Sequence, residues 1–170
     1  MPTLPFVKEI ENLISGTEKK ILCMGPTGPY LDDLAIQPAL PMSGAGKVLV
    51  TGGAGYIGSH TVRELIFQGH DVIVLDDMSS GHESSIKAKI IRADLTDAPT
   101  IEKIFTDNHF QAVIHFAGFI RVEESVREPE KYFKNNVTGT LNLVNSMLRH
   151  GVGRLVYSSS AAVYGNPVRI

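Results

Sequence analysis

The chain has 170 residues, a formal net charge of −2, 43% hydrophobic and 20% charged residues. That is the make-up of one ordinary domain with a core, and its near-neutral balance argues against a nucleic-acid partner, which would need a basic stripe. Cys23 is the only cysteine, the six histidines fall in no ligand spacing, and no apolar run reaches the length of a membrane span. A disulfide framework, a metal site and a membrane segment are therefore not expected, and a reducing compartment, the cytoplasm, is.

Residues 1–46 read as a leader and linker with no assignable role. The start, Met1-Pro2-Thr3-Leu4-Pro5, lacks the basic region and long apolar core of a secretory signal. Residues 6–14 fit a short amphipathic helix with Phe6, Ile10, Leu13 and Ile14 on one face. Lys20 to Gly28 fits a short strand and turn that faintly echoes Lys47 to Gly55. The echo fails at Leu31, in place of a third glycine, and at Pro29, where a phosphate-binding N–H would be needed. Residues 32–46 carry Pro38, Pro41, Gly44 and Gly46 and read as a linker.

The informative stretch is K-V-L-V-T-G-G-A-G-Y-I-G-S-H, Lys47 to His60. An apolar, β-branched run leads into Gly52, Gly55 and Gly58, and a helical pattern follows over 56–68. A strand, a turn of residues without Cβ and a helix start together make a seat for a diphosphate, because the helix opens with free N–H groups and a positive dipole end. A second strand, 71–76, ends on Asp76. The unit is about thirty residues long with a carboxylate at its second strand's end, as dinucleotide binding requires. Asp76 would accept from the adenosine ribose hydroxyls and repel a 2′-phosphate, which favours NAD over NADP. A nucleoside-triphosphate loop is rejected, since Ser59-His60 stands where Lys-Ser/Thr is needed.

Strand and helix then alternate. Residues 78–85 form a polar loop and 87–92 a third strand, followed by Ala93-Asp94-Leu95. Thr96-Asp97-Ala98-Pro99 opens a helix to about residue 108. A fourth strand covers 111–116 and ends in Ala117-Gly118. Pro129 opens a long helix to about His150, where Gly151 stops it, and 154–158 is a fifth strand. The fold class is α/β, a doubly wound parallel sheet of the Rossmann kind with strand order 3-2-1-4-5. Ligands sit beyond the carboxyl ends of such strands, where this chain places Gly52 to Gly58, Asp76-Asp77, Asp94-Leu95, Phe116-Ala117-Gly118 and Ser158-Ser159-Ser160. Asp94 and Leu95 would bracket an adenine, Ala117-Gly118 would let a cofactor lie against backbone, and the serines suit a substrate hydroxyl.

From Lys47 onward the chain resembles the extended short-chain dehydrogenase/reductase superfamily, and within it the UDP-glucose (UDP-galactose) 4-epimerase family. The strings that carry this are Val50 to His60, Val113-Ile114-His115-Phe116-Ala117-Gly118, Asn135-Asn136-Val137-Thr138-Gly139-Thr140 and Ser158-Ser159-Ser160-Ala161-Ala162-Val163-Tyr164-Gly165. The resemblance implies a tightly held NAD that takes a hydride from C4 of a UDP-hexose and returns it to the other face of a 4-keto sugar. It implies that Gly52, Gly55, Tyr56, Ile57 and Gly58 hold the diphosphate, with Asp76 and Asp77 at the ribose and Asp94 and Leu95 at the adenine. Phe116, Ala117 and Gly118 would line the cofactor, Asn136 would contact it or its supporting loop, and Ser160 would meet the sugar O4. Other nucleotide-sugar dehydratases or decarboxylases of the superfamily, and a non-catalytic NAD-binding module, stay open. So does a homodimer.

Two departures from the family pattern stand out. Ile120, with Arg121 next, occupies the place of a lysine found at the cofactor diphosphate in many epimerases. The family's Tyr-x-x-x-Lys, tyrosine as base and lysine lowering its pKa, belongs beyond residue 170. Tyr164 is followed by Val168 at the lysine's position. Residues 47–170 are thus expected to be an incomplete NAD-binding domain without its substrate domain. The strand 154–158 would then form the sheet edge, unless the leader's helix 6–14 or strand 20–24 docks on it.

Overall fold

Buried Val, Ile and Leu on alternate sides of each strand require cover on both faces, and two helical layers supply it. The structure, a computed structural model, describes residues 21–25, 28–32 and 46–160. The expected helix over 6–14 and most of the expected linker lie outside the described residues. The strands are β1 (Ile21–Gly25), β2 (Gly28–Asp32), β3 (Lys47–Thr51), β4 (Asp71–Asp76), β5 (Lys89–Arg92), β6 (Phe110–His115) and β7 (Leu155–Tyr157). The helices are α1 (Tyr56–Phe67), α2 (Ala98–Asp107), α3 (Val122–Arg127), α4 (Pro129–Tyr132) and α5 (Thr140–Arg149), with a π-helical segment, Phe133–Gly139, joining α4 to α5.

One sheet holds all seven strands in the order β2-β1-β7-β6-β3-β4-β5. Within it β5-β4-β3-β6-β7 is parallel throughout, the expected 3-2-1-4-5 arrangement. Val48, Val50, Val72, Val74 and Ile114 face α1 through Val62 and Leu65. Leu49, Ile73, Leu75 and Val113 face the other way, onto Ile101 and Phe105 of α2 and Leu143 and Met147 of α5. Chain punctuation follows the side chains. Asp97 caps α2, accepting from the Thr100 N–H (3.3 Å) and hydroxyl (2.6 Å), and Gly69 (φ +88°) and Gly151 (φ +69°) turn the chain out of α1 and α5.

The structure adds three features to the expected plan. Helix α3 is six residues long and buries none of them, Val122 and Val126 included, so no core-facing stripe marks it. The long helix begins at Pro129 as expected, but its middle is wound with π spacing. The third departure is at the sheet edge. β7 is covered by the leader: β1 runs parallel to it, pairing Ile21 with Leu155, Leu22 with Val156 and Cys23 with Tyr157. The reason is backbone chemistry, since the outward N–H and C=O groups of β7 gain ladder partners. β2 then pairs antiparallel with β1 and becomes the edge, where Pro29 has no N–H to offer another strand.

Removing residues 1–45 uncovers β7. The shortened chain is expected to associate more steeply with concentration than the full chain in light scattering, and to melt at a lower temperature. Equal behaviour of the two would show that β1 does not protect this edge.

Candidate functional site

The glycine turn divides its three glycines between two jobs. Gly52 adopts φ +68°, and its N–H donates to the Leu75 carbonyl at 2.9 Å. A Cβ here would lie 2.5 Å from the Ala117 nitrogen and 2.7 Å from the Phe116 carbonyl carbon. A Cβ on Gly58 would lie 2.2 Å from the Gly52 carbonyl oxygen, so α1 packs its first turn directly on the loop. Gly55 differs. Its Cβ would meet Gly52 O at 3.4 Å, an ordinary contact. It is the extended N-cap of α1, with no side-chain cap and no acidic residue in the helix's first turn. The helix therefore presents free N–H groups beside the exposed Tyr56 and Ile57, a cradle that fits a diphosphate.

Asp76 lies beneath this turn and is 7% exposed. Its Oδ2 accepts from the Ala54 N–H and its Oδ1 from the Met78 N–H, both at 2.9 Å. The second bond holds Met78 at φ +63°, a left-handed conformation unusual for a side chain of that size. The loop after β4 folds back over the glycine turn: the His82 N–H donates to the Ala54 carbonyl at 3.1 Å, and a Cβ on Gly81 would lie 2.3 Å from that of Ala54. Asp76 thus braces the loop, and each carboxylate oxygen retains a second lone pair for a ribose hydroxyl. Asp77 stands at the rim, its Oδ1 taking the Ser79 N–H (2.9 Å) and hydroxyl (2.7 Å).

A crevice of about 620 Å³ opens beside it, lined in part by Asp77, Asp94, Thr96, Phe119, Lys134 and Asn135. Asp94 reaches the crevice and shapes its own turn by accepting from the Thr96 N–H at 2.8 Å. Leu95 does not bring its side chain there. It is 5% exposed and packs in the core, against Gly139, where a Cβ would come within 3.0 Å of its own. Phe116 and Ala117 form the floor under Gly52. Gly118 faces the Asn136 side chain, at 3.6 Å from where its Cβ would be. Asn136 holds the next residue by two bonds, accepting from the Phe119 N–H at 2.8 Å and donating to the Phe119 carbonyl at 2.9 Å. Ile120 is 88% exposed, and Arg121 is the N-cap residue of α3. Ser158 donates its N–H to the His115 carbonyl at 3.1 Å. Ser160 is exposed at the same carboxyl end of the sheet.

Two groups at the site go beyond the sequence reading. Arg127, Lys131 and Lys134 also line the crevice, and Lys131 pairs with Glu124 and lies 5.1 Å from the Phe119 ring centroid. Their i, i+4, i+7 spacing was the available signal. The other is a buried polar relay. Thr51 Oγ1 meets His115 Nδ1 at 2.6 Å, and His115 Nε2 meets Thr140 Oγ1 at 3.0 Å. A histidine inside the apolar run Val113 to Phe116 was its signal. Burial pushes the His115 imidazole down to about 4.

The model of the NAD dependent epimerase/dehydratase family matches residues 48–170. This chain belongs to that family. Among similar members, UDP-glucose 4-epimerase of Lactobacillus helveticus is 50% identical over 126 residues, covering 73% of this chain and 38% of the relative. UDP-glucose 4-epimerase uge1 of Schizosaccharomyces pombe is 45% identical over 133 residues, with coverage of 73% and 38%. The crystal structure of UDP-glucose 4-epimerase from Brucella ovis in complex with NAD superposes with a TM-score of 0.68 at 40% identity, over 74% of this chain and 39% of that one. The Bifidobacterium longum enzyme in complex with NAD+ and UDP gives 0.66 at 39%, over 73% and 40%. The chain therefore spans 38% of the length of these two curated relatives.

Two expectations follow for this family member. Gly55→Ala should change stability by less than about 1 kcal/mol, whereas Gly58→Ala drives a Cβ into backbone and should cost about 3 kcal/mol or more in urea unfolding. The second concerns pH. The folded His115 stays neutral while the unfolded chain takes up a proton below its ordinary 6.5, so stability is full above that value and is lost as pH falls toward 4. The loss is about 3 kcal/mol, and His115→Gln should lack that part of the pH slope in melts between pH 7 and 4.

Proposed function

We propose that residues 47–170 are the dinucleotide-binding part of a UDP-glucose/UDP-galactose 4-epimerase, with the leader lending β1 and β2 to its sheet. The observation that carries the reading is the glycine turn. Its backbone rests on Phe116-Ala117, its carboxylate brace is Asp76, and its open helix start can receive a diphosphate. The identity to named epimerases supports the substrate class, a UDP-hexose. When bound, NAD supplies the hydride acceptor and donor for sugar C4. The chain's own residues bind and orient. N–H groups at the start of α1 hold the diphosphate, Asp76 and Asp77 place fixed negative charge at the ribose, and Asp94 stands at the adenine end. Phe116, Ala117 and Gly118 form the cofactor's floor, Asn136 keeps the adjoining loop in place, and Ser160 holds the sugar O4.

The compartment is the cytoplasm, in keeping with a single cysteine. Among the described residues no helix is long and apolar enough to cross a membrane. The assembly is a homodimer. Its support is the stripe Phe133, Val137, Leu141 and Leu148, which the long helix exposes on one side.

Calorimetry tests the cofactor. Two unit charges about 4 Å apart repel by about 1–4 kcal/mol between bulk water and a protein surface, so NAD should bind at least about 5-fold more tightly than NADP. Asp76→Asn should narrow that ratio, and equal or tighter NADP binding to the unsubstituted chain would overturn the role of Asp76. None of the five tyrosines is followed four residues on by lysine. The 170-residue polypeptide is therefore expected not to epimerise UDP-galactose, and turnover abolished by Ser160→Ala would show that the chemistry lies elsewhere than proposed. In a polypeptide extended to carry Tyr-x-x-x-Lys, UDP-glucose as product supports the epimerase, and a dehydrated or decarboxylated sugar supports another branch of the family.

A further inference from the structure

We propose that His115 is a positioning residue for the crevice: neutral and protonated on Nε2, it seats Thr140 and, through it, the π turn whose Asn136 clamps Phe119. The direction of every proton in this relay can be derived. The Thr140 hydroxyl lies 2.7 Å from the Asn136 carbonyl, and a carbonyl can only accept, so the single Thr140 proton points there. At its 3.0 Å contact with His115 Nε2, Thr140 Oγ1 must then be the acceptor, and Nε2 carries the hydrogen. The ring is 3% exposed, and its neighbours are two hydroxyls and the Tyr157 ring, 5.3 Å away between centroids. None of these is a carboxylate that would stabilise an imidazolium. Nδ1 is therefore bare and accepts from the Thr51 hydroxyl at 2.6 Å.

The relay ties the strand end before the glycine turn to the helical segment that holds Phe119, a residue of the crevice lining. Thr51 precedes Gly52, and its carbonyl accepts from the Phe116 N–H at 2.9 Å. Thr140 follows the π segment, whose altered winding carries Asn136 to both polar backbone groups of Phe119. Irregular π winding is held where a site needs a side chain off the regular helical register. Here the His115–Thr140 bond ties the end of that winding to the sheet. The effect on cofactor binding rests on the dinucleotide reading proposed above, whereas the tautomer and the loop's rigidity do not.

The test is nitrogen-15 NMR of the histidine rings, with amide exchange at Phe119, in the unsubstituted chain and in Thr140→Val and Thr140→Ser. The expected result is an Nε2–H tautomer at neutral pH. Thr140→Val removes the acceptor, so the ring should change to Nδ1–H, donating to Thr51. Phe119 should then exchange about 5–30-fold faster, the range that loss of a single interaction produces, and NAD should bind more weakly by a similar factor. Thr140→Ser, which keeps the hydroxyl, should match the unsubstituted chain in all three. An Nδ1–H or doubly protonated ring in the unsubstituted chain overturns the proposal, as does unchanged Phe119 exchange in Thr140→Val. Should Thr140→Val not fold, Thr140→Ala carries the same exchange measurement, and the tautomer of the unsubstituted chain decides by itself. Failure of the unsubstituted chain to bind NAD counts against the proposed function, while the tautomer and exchange still decide this inference.

Discussion

Between the first turn of α1 and the loop that precedes it there is no room for a single methyl group, and the carboxyl end of the sheet is arranged around that contact. Gly58 sits on the Gly52 carbonyl, and Gly52 in turn sits on the Phe116–Ala117 backbone. These two approaches set where α1 starts and which way its free N–H groups aim. They also bring β6 close enough for its following loop to wall the crevice. Interiors packed at crystal-like density do not absorb an added methyl by yielding, so the position of the helix start is imposed by backbone contact alone.

The second requirement is polar. Asp76 and His115 are both buried at strand ends, in strands β3 to β7 whose buried residues are mostly Val, Ile and Leu. Such groups are tolerated where their hydrogen-bonding capacity is met. Asp76 meets its need with two backbone N–H groups from loops on either side, and His115 with two hydroxyls from a strand and a helix. Each therefore cross-links elements that apolar packing leaves free to slide. Restraining such elements reduces the ordering cost that binding carries.

Local and short-range signals carried most of this into the sequence. The strand ending on Asp76 and the glycine spacing were legible because each depends on residues next to one another, and the parallel order followed from strict alternation. The direction of the Leu95 side chain was not legible, for a reason of the same kind. Adjacency to Asp94 suggested a shared adenine contact, but successive residues point to different sides, and Leu95 turns inward against Gly139. The π winding had no signature in residues 133–139, since it is selected by where Asn136 and Thr140 must reach. Strand β1 was legible as a strand, and its docking on 154–158 only as one possibility. Residues 21–25 carry no mark that distinguishes β7 from any other unpaired edge, so the pairing is a tertiary choice.

That pairing also sets an order of events. β1 and β2 form a local hairpin, of a kind that closes in about 1–10 μs but is marginal in water by itself. Its parallel partner β7 is the last strand described in the chain, and the ribosome makes it only after β3 to β6 can already have assembled. Non-local parallel pairings are slow because the closure entropy comes before any contact rewards it. Of the described strands β1 and β2 are made first. Until β7, the last of them, is made, β1 has no parallel partner to receive it.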